Sequence, residues 1–305
     1  MNTTYYTLDV FTQTAFQGAQ VAVFPFSSAL PESLLPRLAS EVNLSETVFV
    51  TPSETAKNTF KLRIFSPNGE VGFAGHPMLA VAHVLVETGQ VKLDGTYTTI
   101  SLEQSKQTIE VNISAPEGDS TFVQFTLQSS AVVDRYTPPG NELASILSIE
   151  ERHIDHMFYH TRMASDGVPY LIVPLTSQQA VEDARFDLKA WGQSTAPAMA
   201  AQEILLFTPK TKNNDSNFHA RLVGPSIGLH DDPPVGSVLP AFAGYLASHD
   251  NVREGTYSFA IDRGTLETRR SLLNLEMDVK KGRPITLRVG GDSVLISKNE
   301  LLIKV

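Results

Sequence analysis

The chain of 305 residues contains no cysteine. That absence removes disulfides, zinc–thiolate sites, iron–sulfur clusters and thiol nucleophiles in one step. Positive charge is also in short supply. The formal net charge of −9 argues against nucleic acid and against acidic membrane surfaces as partners. Long apolar runs are missing as well: the most apolar stretch, Met78 to Val86, is too short to span a bilayer and carries His83. Neither a G-x-G-x-x-G nor a P-loop is present, so the glycines do not form a nucleotide fingerprint. A Gly-x-Ser-x-Gly elbow is absent too. The opening MNTTYYTLDV lacks the basic-then-apolar pattern of a signal peptide, and a cytoplasmic location is expected. What remains is ordinary for a globular protein, with 42% hydrophobic and 19% charged residues. The length favours two domains, each able to bury a core.

The stretch from Leu62 to Leu85, LRIFSPNGEVGFAGHPMLAVAHVL, organises the rest. It reads as a strand (Leu62 to Phe65), a Gly-rich loop and a helix beginning at Gly75-His76-Pro77, with Gly89 closing the helix. Proline suits the first turn of a helix, where its missing N–H has no partner to lose. His76 is expected at the cap. Such a start offers unpaired backbone donors and a partial positive charge, and is a ready anion site.

The pattern recurs. From Ala220 the chain runs ARLVGPSIGLHDDPPVGSVLPAFAGYL, where Arg221-x-x-x-Pro225 repeats Arg63-x-x-x-Pro67. A second Gly- and Pro-rich loop enters an apolar helix, here expected at Gly236-Ser237 with Ser237 as cap and Pro240 in the first turn. Gly18 and Gly167 each lead through an apolar run to a proline, Pro25 and Pro174. Val48-Phe49-Val50-Thr51 is echoed by Leu205-Leu206-Phe207-Thr208, and Gly95-Thr96-Tyr97 by Gly255-Thr256-Tyr257. The echoes keep one order, at separations from 149 to 160 residues. A duplicated α/β domain is expected, with the two helix starts facing one another across a cleft. The boundaries read as 1–118 and 119–291, with Ala115 to Ser120 as crossover and the last strand, 292–305, returning to the first domain. Along the way, Pro31 to Val42 and Glu142 to Arg152 are expected to be helical. Met157 to Arg162 and Tyr170 to Val173 should repeat the opening hairpin. Ile285 to Val305 should form three short strands separated at Gly290-Gly291 and Lys298-Asn299.

Several residues could carry chemistry. Glu46, in a loop before a strand, is either a general acid/base whose pKa is raised by partial burial or a solvated carboxylate without a role. Asp231 and Asp232 precede the second helix, where they are either acids favoured by the dipole alone or groups with a catalytic role. His76 has the same ambiguity, although histidine titrates where proton transfer happens. His153, His156 and His160 sit at helical spacing, but the segment turns strand-like at Met157 and no carboxylate completes a set, so no metal is expected. Ser237 as a nucleophile lacks a neighbouring base in the sequence.

Leu44-Ser45-Glu46-Thr47, Phe73-Ala74-Gly75-His76-Pro77 and Asp232-Pro233-x-x-Gly236-Ser237 resemble signature motifs of the PhzF-like isomerases of phenazine biosynthesis. Phe16-x-Gly18 with Val21-Ala22-Val23, and Gly282-Arg283-Pro284, fall in the family's order, and the resemblance covers essentially the whole chain. It implies the diaminopimelate-epimerase fold: two pseudo-symmetric α/β halves, each a mainly antiparallel sheet wrapped around a central helix. It also implies an isomerase without metal or organic cofactor, acting next to a carboxylate and commonly a homodimer. Glu46 would then shuttle the proton, with His76 and Asp232 assisting, while Gly18, Gly75, Gly236 and Ser237 bind substrate. The two-thiol mechanism of related racemases is excluded by the missing cysteines. Where the family has Asn-Pro after the first glycine, this chain has Ala19-Gln20; Pro234, Val235 and Met78 are further departures. These changes point to a substrate other than the phenazine precursor. The alternatives are a catalytically idle binder of small anions and a hydrolase using Ser237.

Overall fold

A computed structural model describes residues 2–53, 59–72, 74–104, 107–114, 121–201, 203–227, 235–265 and 267–303. Asp231, Asp232, Pro233, Pro234, Phe73 and the expected crossover Ala115 to Ser120 lie outside the described residues. The chain divides into two compact units: Met1–Thr126 with Leu266–Ser271 and Arg288–Val305, and Leu127–Thr265 with Leu272–Leu287. Among the described residues there are sixteen strands and six α-helices.

In the first unit the strands are β1 (Asn2–Val10), β2 (Ala19–Phe24), β3 (Glu46–Pro52), β4 (Thr59–Ser66), β5 (Gly69–Val71), β6 (Thr98–Gln104), β7 (Gln107–Ser114) and the start of β8 (Phe122–Ser129). Pairing runs β1–β2 antiparallel, β2–β3 parallel, β3–β4 antiparallel and β4–β6 parallel. The second unit repeats that alternation. After β9 (Val132–Asp134) come β10 (Arg162–Asp166), β11 (Val168–Pro174), β12 (Glu203–Thr208), β13 (Phe218–Val223), β14 (Gly255–Arg263) and β15 (Ser271–Val279). Here β10–β11 is antiparallel, β11–β12 parallel, β12–β13 antiparallel and β13–β14 parallel.

Each unit wraps its sheet around one helix. Besides α1 (Leu35–Val42), the first unit has α2 (His76–Glu87), whose Met78, Leu79, Ala80, Val81, Ala82, Val84 and Leu85 are completely buried. A helix apolar all round is stable only inside a core. The other face of this sheet is closed by α1, which packs Leu35, Leu38 and Ala39 onto Phe24, Phe49 and Phe65. In the second unit α3 (Gly140–Leu147), α4 (Gln178–Asp183) and α5 (Leu188–Gln193) cover the outer face. Its central helix is α6 (Leu239–Ala247), with Leu239, Ala241, Phe242, Ala243 and Tyr245 buried.

Several local expectations are corrected. Gly75, not His76, is the cap of α2; His76 is the first helical residue and Pro77 the second. Ser237 is no cap either: Val235–Val238 forms a 3-10 turn and α6 begins at Leu239, so Pro240 still falls where its missing N–H is harmless. The α3 helix ends at Leu147 rather than Arg152, closed by Ser148 in the left-handed region at φ 53°. The strand expected at Met157 begins only at Arg162. Ile285 to Val305 is not three strands but one, β16 (Ile285–Leu302), whose end pairs antiparallel with β1 from Asn2↔Leu302 to Val10↔Ser293. Gly290 lies inside this strand and is closely packed. A Cβ there would meet Phe122 Cζ at 2.8 Å and the Val123 carbonyl oxygen at 2.9 Å. This glycine serves close packing rather than a turn.

Candidate active site

Glu46 opens β3, directly opposite Val21 of β2 in parallel register. Ser45, just before it, donates from Oγ to the Gln20 carbonyl at 3.0 Å and hydrogen-bonds the Glu46 carboxylate. His76 arrives from the first position of α2. Its Nε2 stands 2.6 Å from Glu46 Oε2, with the side chains only 7% and 17% exposed. Glu46 is therefore not a solvated carboxylate.

The approach is close but misaligned: among the described residues neither Glu46 Oε2 nor His76 Nε2 meets hydrogen-bond geometry with a partner, and both atoms are buried. Buried polar atoms are normally satisfied. This pair keeps bonding capacity that a reacting group can take up. Gly75 lets the helix start come this close to the core, because a Cβ there would strike Phe125 Cζ at 2.7 Å.

The expected direction of the Glu46 pKa is corrected. Burial does push the carboxyl up, but the close imidazole of His76 and a hydrogen bond from Ser45 outweigh it and hold it below the ordinary carboxylate value. At neutral pH Glu46 is ionised, the state a base starts from.

The remaining expected residues are placed as follows. Gly18 precedes β2 with φ +72°, and its N–H, the group a substrate anion would need, already donates to the Arg270 carbonyl at 2.8 Å. Ala19 is buried at the start of β2, and Gln20 is exposed. In the second unit Ser237 hydrogen-bonds the phenol of Tyr170. Burial pushes the Tyr170 phenol up, so it stays protonated and offers Ser237 no ready base. Among the described residues nothing lies within 4 Å of where a Cβ on Gly236 would sit. Asp232 lies outside the described residues. His153 closes a 3-10 turn and no helix carries His156 or His160, so the three do not share a helical face. Among the described residues no group of three His, Cys, Asp or Glu could hold a metal ion. No described helix is long and apolar enough to cross a membrane.

Sequence reasoning missed Asp9 and Arg269. Asp9 is 2% exposed and ion-paired with Arg269. The one signal was an acid inside the otherwise apolar run Leu8-Asp9-Val10-Phe11.

The fold is of epimerase-like architecture, and the comparisons make the protein an isomerase. The chain belongs to the phenazine biosynthesis-like protein family (PhzC-PhzF), whose family model matches residues 8–299. It is 30% identical over 302 residues to an uncharacterized isomerase of Mesorhizobium japonicum, covering 98% of both chains. It is 26% identical over 302 residues to trans-2,3-dihydro-3-hydroxyanthranilate isomerase of Pseudomonas fluorescens, covering 98% of this chain and 99% of that one. Among solved structures it is similar to the Bacillus anthracis phenazine biosynthesis protein of the PhzF family, with a TM-score of 0.86 at 19% identity. That match covers 99% of this chain and 100% of the other.

Proposed function

We propose that the protein moves a proton between carbons of a small carboxylate-bearing metabolite, with Glu46 as the acid/base and no cofactor. The observation that carries this reading is the buried, misaligned Glu46–His76 contact at 2.6 Å, at the first residue of α2. An ionised carboxylate in a dry site takes a proton from carbon, and the same group returns it to another carbon. His76 stands beside the carboxylate, positions the substrate and assists protonation while the substrate carries the extra electron pair. The start of α2 adds backbone donors near Gly75 for the substrate's own carboxylate. The proposal extends to Asp232, Gly236 and Ser237 as substrate contacts, which the motif resemblance supports.

The test is deuterium incorporation from heavy water into a panel of small unsaturated and amino carboxylates. The panel includes the compound named for the Pseudomonas fluorescens relative. Wild-type protein should label at least one member, and Glu46→Gln should label it about 10²–10⁴-fold more slowly, the usual worth of a positioned acid/base. Equal labelling by Glu46→Gln overturns the assignment. Binding without any labelling turns the reading into that of an anion binder.

A further inference from the structure

The segment between β1 and β2 folds against its grain. Phe11 and Phe16 both take left-handed backbone, at φ 61° and 67°, and Gly18 follows at φ 72°. For bulky residues this conformation is an outlier, and such strain persists only where the surroundings over-determine it. Phe16 has no packing reward to offset it, since the side chain is 70% exposed.

Hydrogen bonds to one guanidinium supply the determination. Arg269 pairs through Nη2 with Oδ1 of the buried Asp9 in β1. The same Nη2 donates to the Gln17 carbonyl at 3.1 Å, and Nε donates to the Gly18 carbonyl at 3.1 Å. The other carboxylate oxygen of Asp9 accepts the Phe16 N–H at 2.7 Å. Arg270 completes the fastening: its N–H donates to Gln17 Oε1 at 2.8 Å and its carbonyl accepts the Gly18 N–H at 2.8 Å. Gly18 is obligatory in this turn, because a Cβ would run into the Val10 carbonyl.

All of these groups belong to the first unit, and they converge on the entrance to β2. Gly18 is three residues from Val21, which stands opposite Glu46. On the other side Asp9 lies opposite Gln20 in the β1–β2 ladder. We propose that Arg269 is a positioning residue: its planar fork holds the Gln17–Gly18 turn and thereby sets the strand that flanks Glu46. The turn's work is conformational, its Gly18 N–H being closed to substrate. The inference rests on the reading of Glu46 as the reacting group, but its first readout does not.

The experiment follows amide hydrogen exchange in Arg269→Ala. The Phe16 and Gly18 amides should exchange at least about tenfold faster, while the α2 amides from Ala80 to Val84 keep wild-type protection. Ethylguanidinium added to the variant should restore protection. Arg269→Lys should not, because an ammonium cannot span the carboxylate and two carbonyls in one plane. In the deuterium-labelling assay Arg269→Ala should be about 10²-fold slower, the scale of a roughly 1 Å misplacement near reacting groups, and ethylguanidinium should recover it. Unchanged Phe16 and Gly18 exchange overturns the proposal. So does faster exchange that spreads equally to α2, which marks a general stabilising role, or wild-type labelling with the turn released. If the amides respond as stated while Glu46→Gln labels normally, the assignment of Glu46 fails and the anchoring of the turn stands.

Discussion

Glu203 occupies in the second unit the place that Glu46 occupies in the first. Each opens a strand, and each stands opposite the second strand of a hairpin in parallel register, Tyr170 for Glu203 and Val21 for Glu46. Their surroundings differ. Glu46 meets the imidazole of His76, whereas Glu203 accepts a hydrogen bond from Ser226 Oγ at 2.7 Å. The duplication is thus shared at the level of backbone and broken at the level of chemistry.

That difference sets the first expectation. Glu203→Gln should keep deuterium labelling within about twofold of wild type, since an amide oxygen can still accept from Ser226. Glu46→Gln should lose about two to four orders of magnitude. A comparable loss from both would contradict the assignment of the chemistry to Glu46.

The acid limb of the activity profile should lie below the ordinary carboxylate range, because burial of Glu46 is outweighed by His76 and Ser45. His76→Ala leaves burial and removes the larger opposing cause, so the limb should move to higher pH. The stability sign follows from the same shift. A depressed folded value means that the contribution of Glu46 is present above its unfolded value and lost as pH falls through the folded one. Denaturation of wild type and Glu46→Gln across that acid window checks it, and parallel curves would refute the linkage.

His83 gives a second pH signature in a different window. Half-buried on α2, with Nδ1 2.9 Å from Ser293 Oγ, it has its pKa pushed down by loss of solvent, only partly opposed by the charge of Glu87. The unfolded chain therefore binds a proton at a pH where the folded one does not. Stability should fall as pH drops through and below the ordinary histidine value. His83→Gln should flatten that part of the curve, measured by urea midpoint at fixed ionic strength. A slope unchanged in the variant would assign it to another group.

Glycine substitutions should separate packing from turn chemistry. Gly290→Ala forces a Cβ against Phe122 and the Val123 carbonyl and should cost about 1–3 kcal/mol, as overpacking does. Gly236→Ala meets nothing within 4 Å among the described residues and should stay within about 0.5 kcal/mol. Chemical denaturation of the two variants decides, and equal costs would contradict the packing account.

The readable parts of the fold were those written locally and twice. Gly18 and Gly167, Arg63 and Arg221, and the Val48 to Thr51 echo at Leu205 to Thr208 recur in order, and the two units share one alternation of strand pairings. The α2 start was legible because Gly75-His76-Pro77 combines close packing with a proline in the first turn. Around α6 the signal was weaker: the apolar run from Val235 does not distinguish a 3-10 turn from an α-helical one, and Ser237 fell inside the former. Gly290-Gly291 resembles a turn in any local reading, and the close approach of Phe122 and the Val123 carbonyl to Gly290 shows only in the structure. The direction of the Glu46 pKa could not be read either, since it depends on how close a histidine thirty positions away comes. Arg269 was invisible for the same reason, with partners more than 250 positions distant.

The Asp9–Arg269 fastening also bears on engineering. A chimera that imports residues 11–18 from a relative, to change what the protein accepts, would carry a strained turn without its clasp. Segments 11–18 and 267–271 have to travel together, along with the acid at position 9, if a grafted entrance to β2 is to keep its shape.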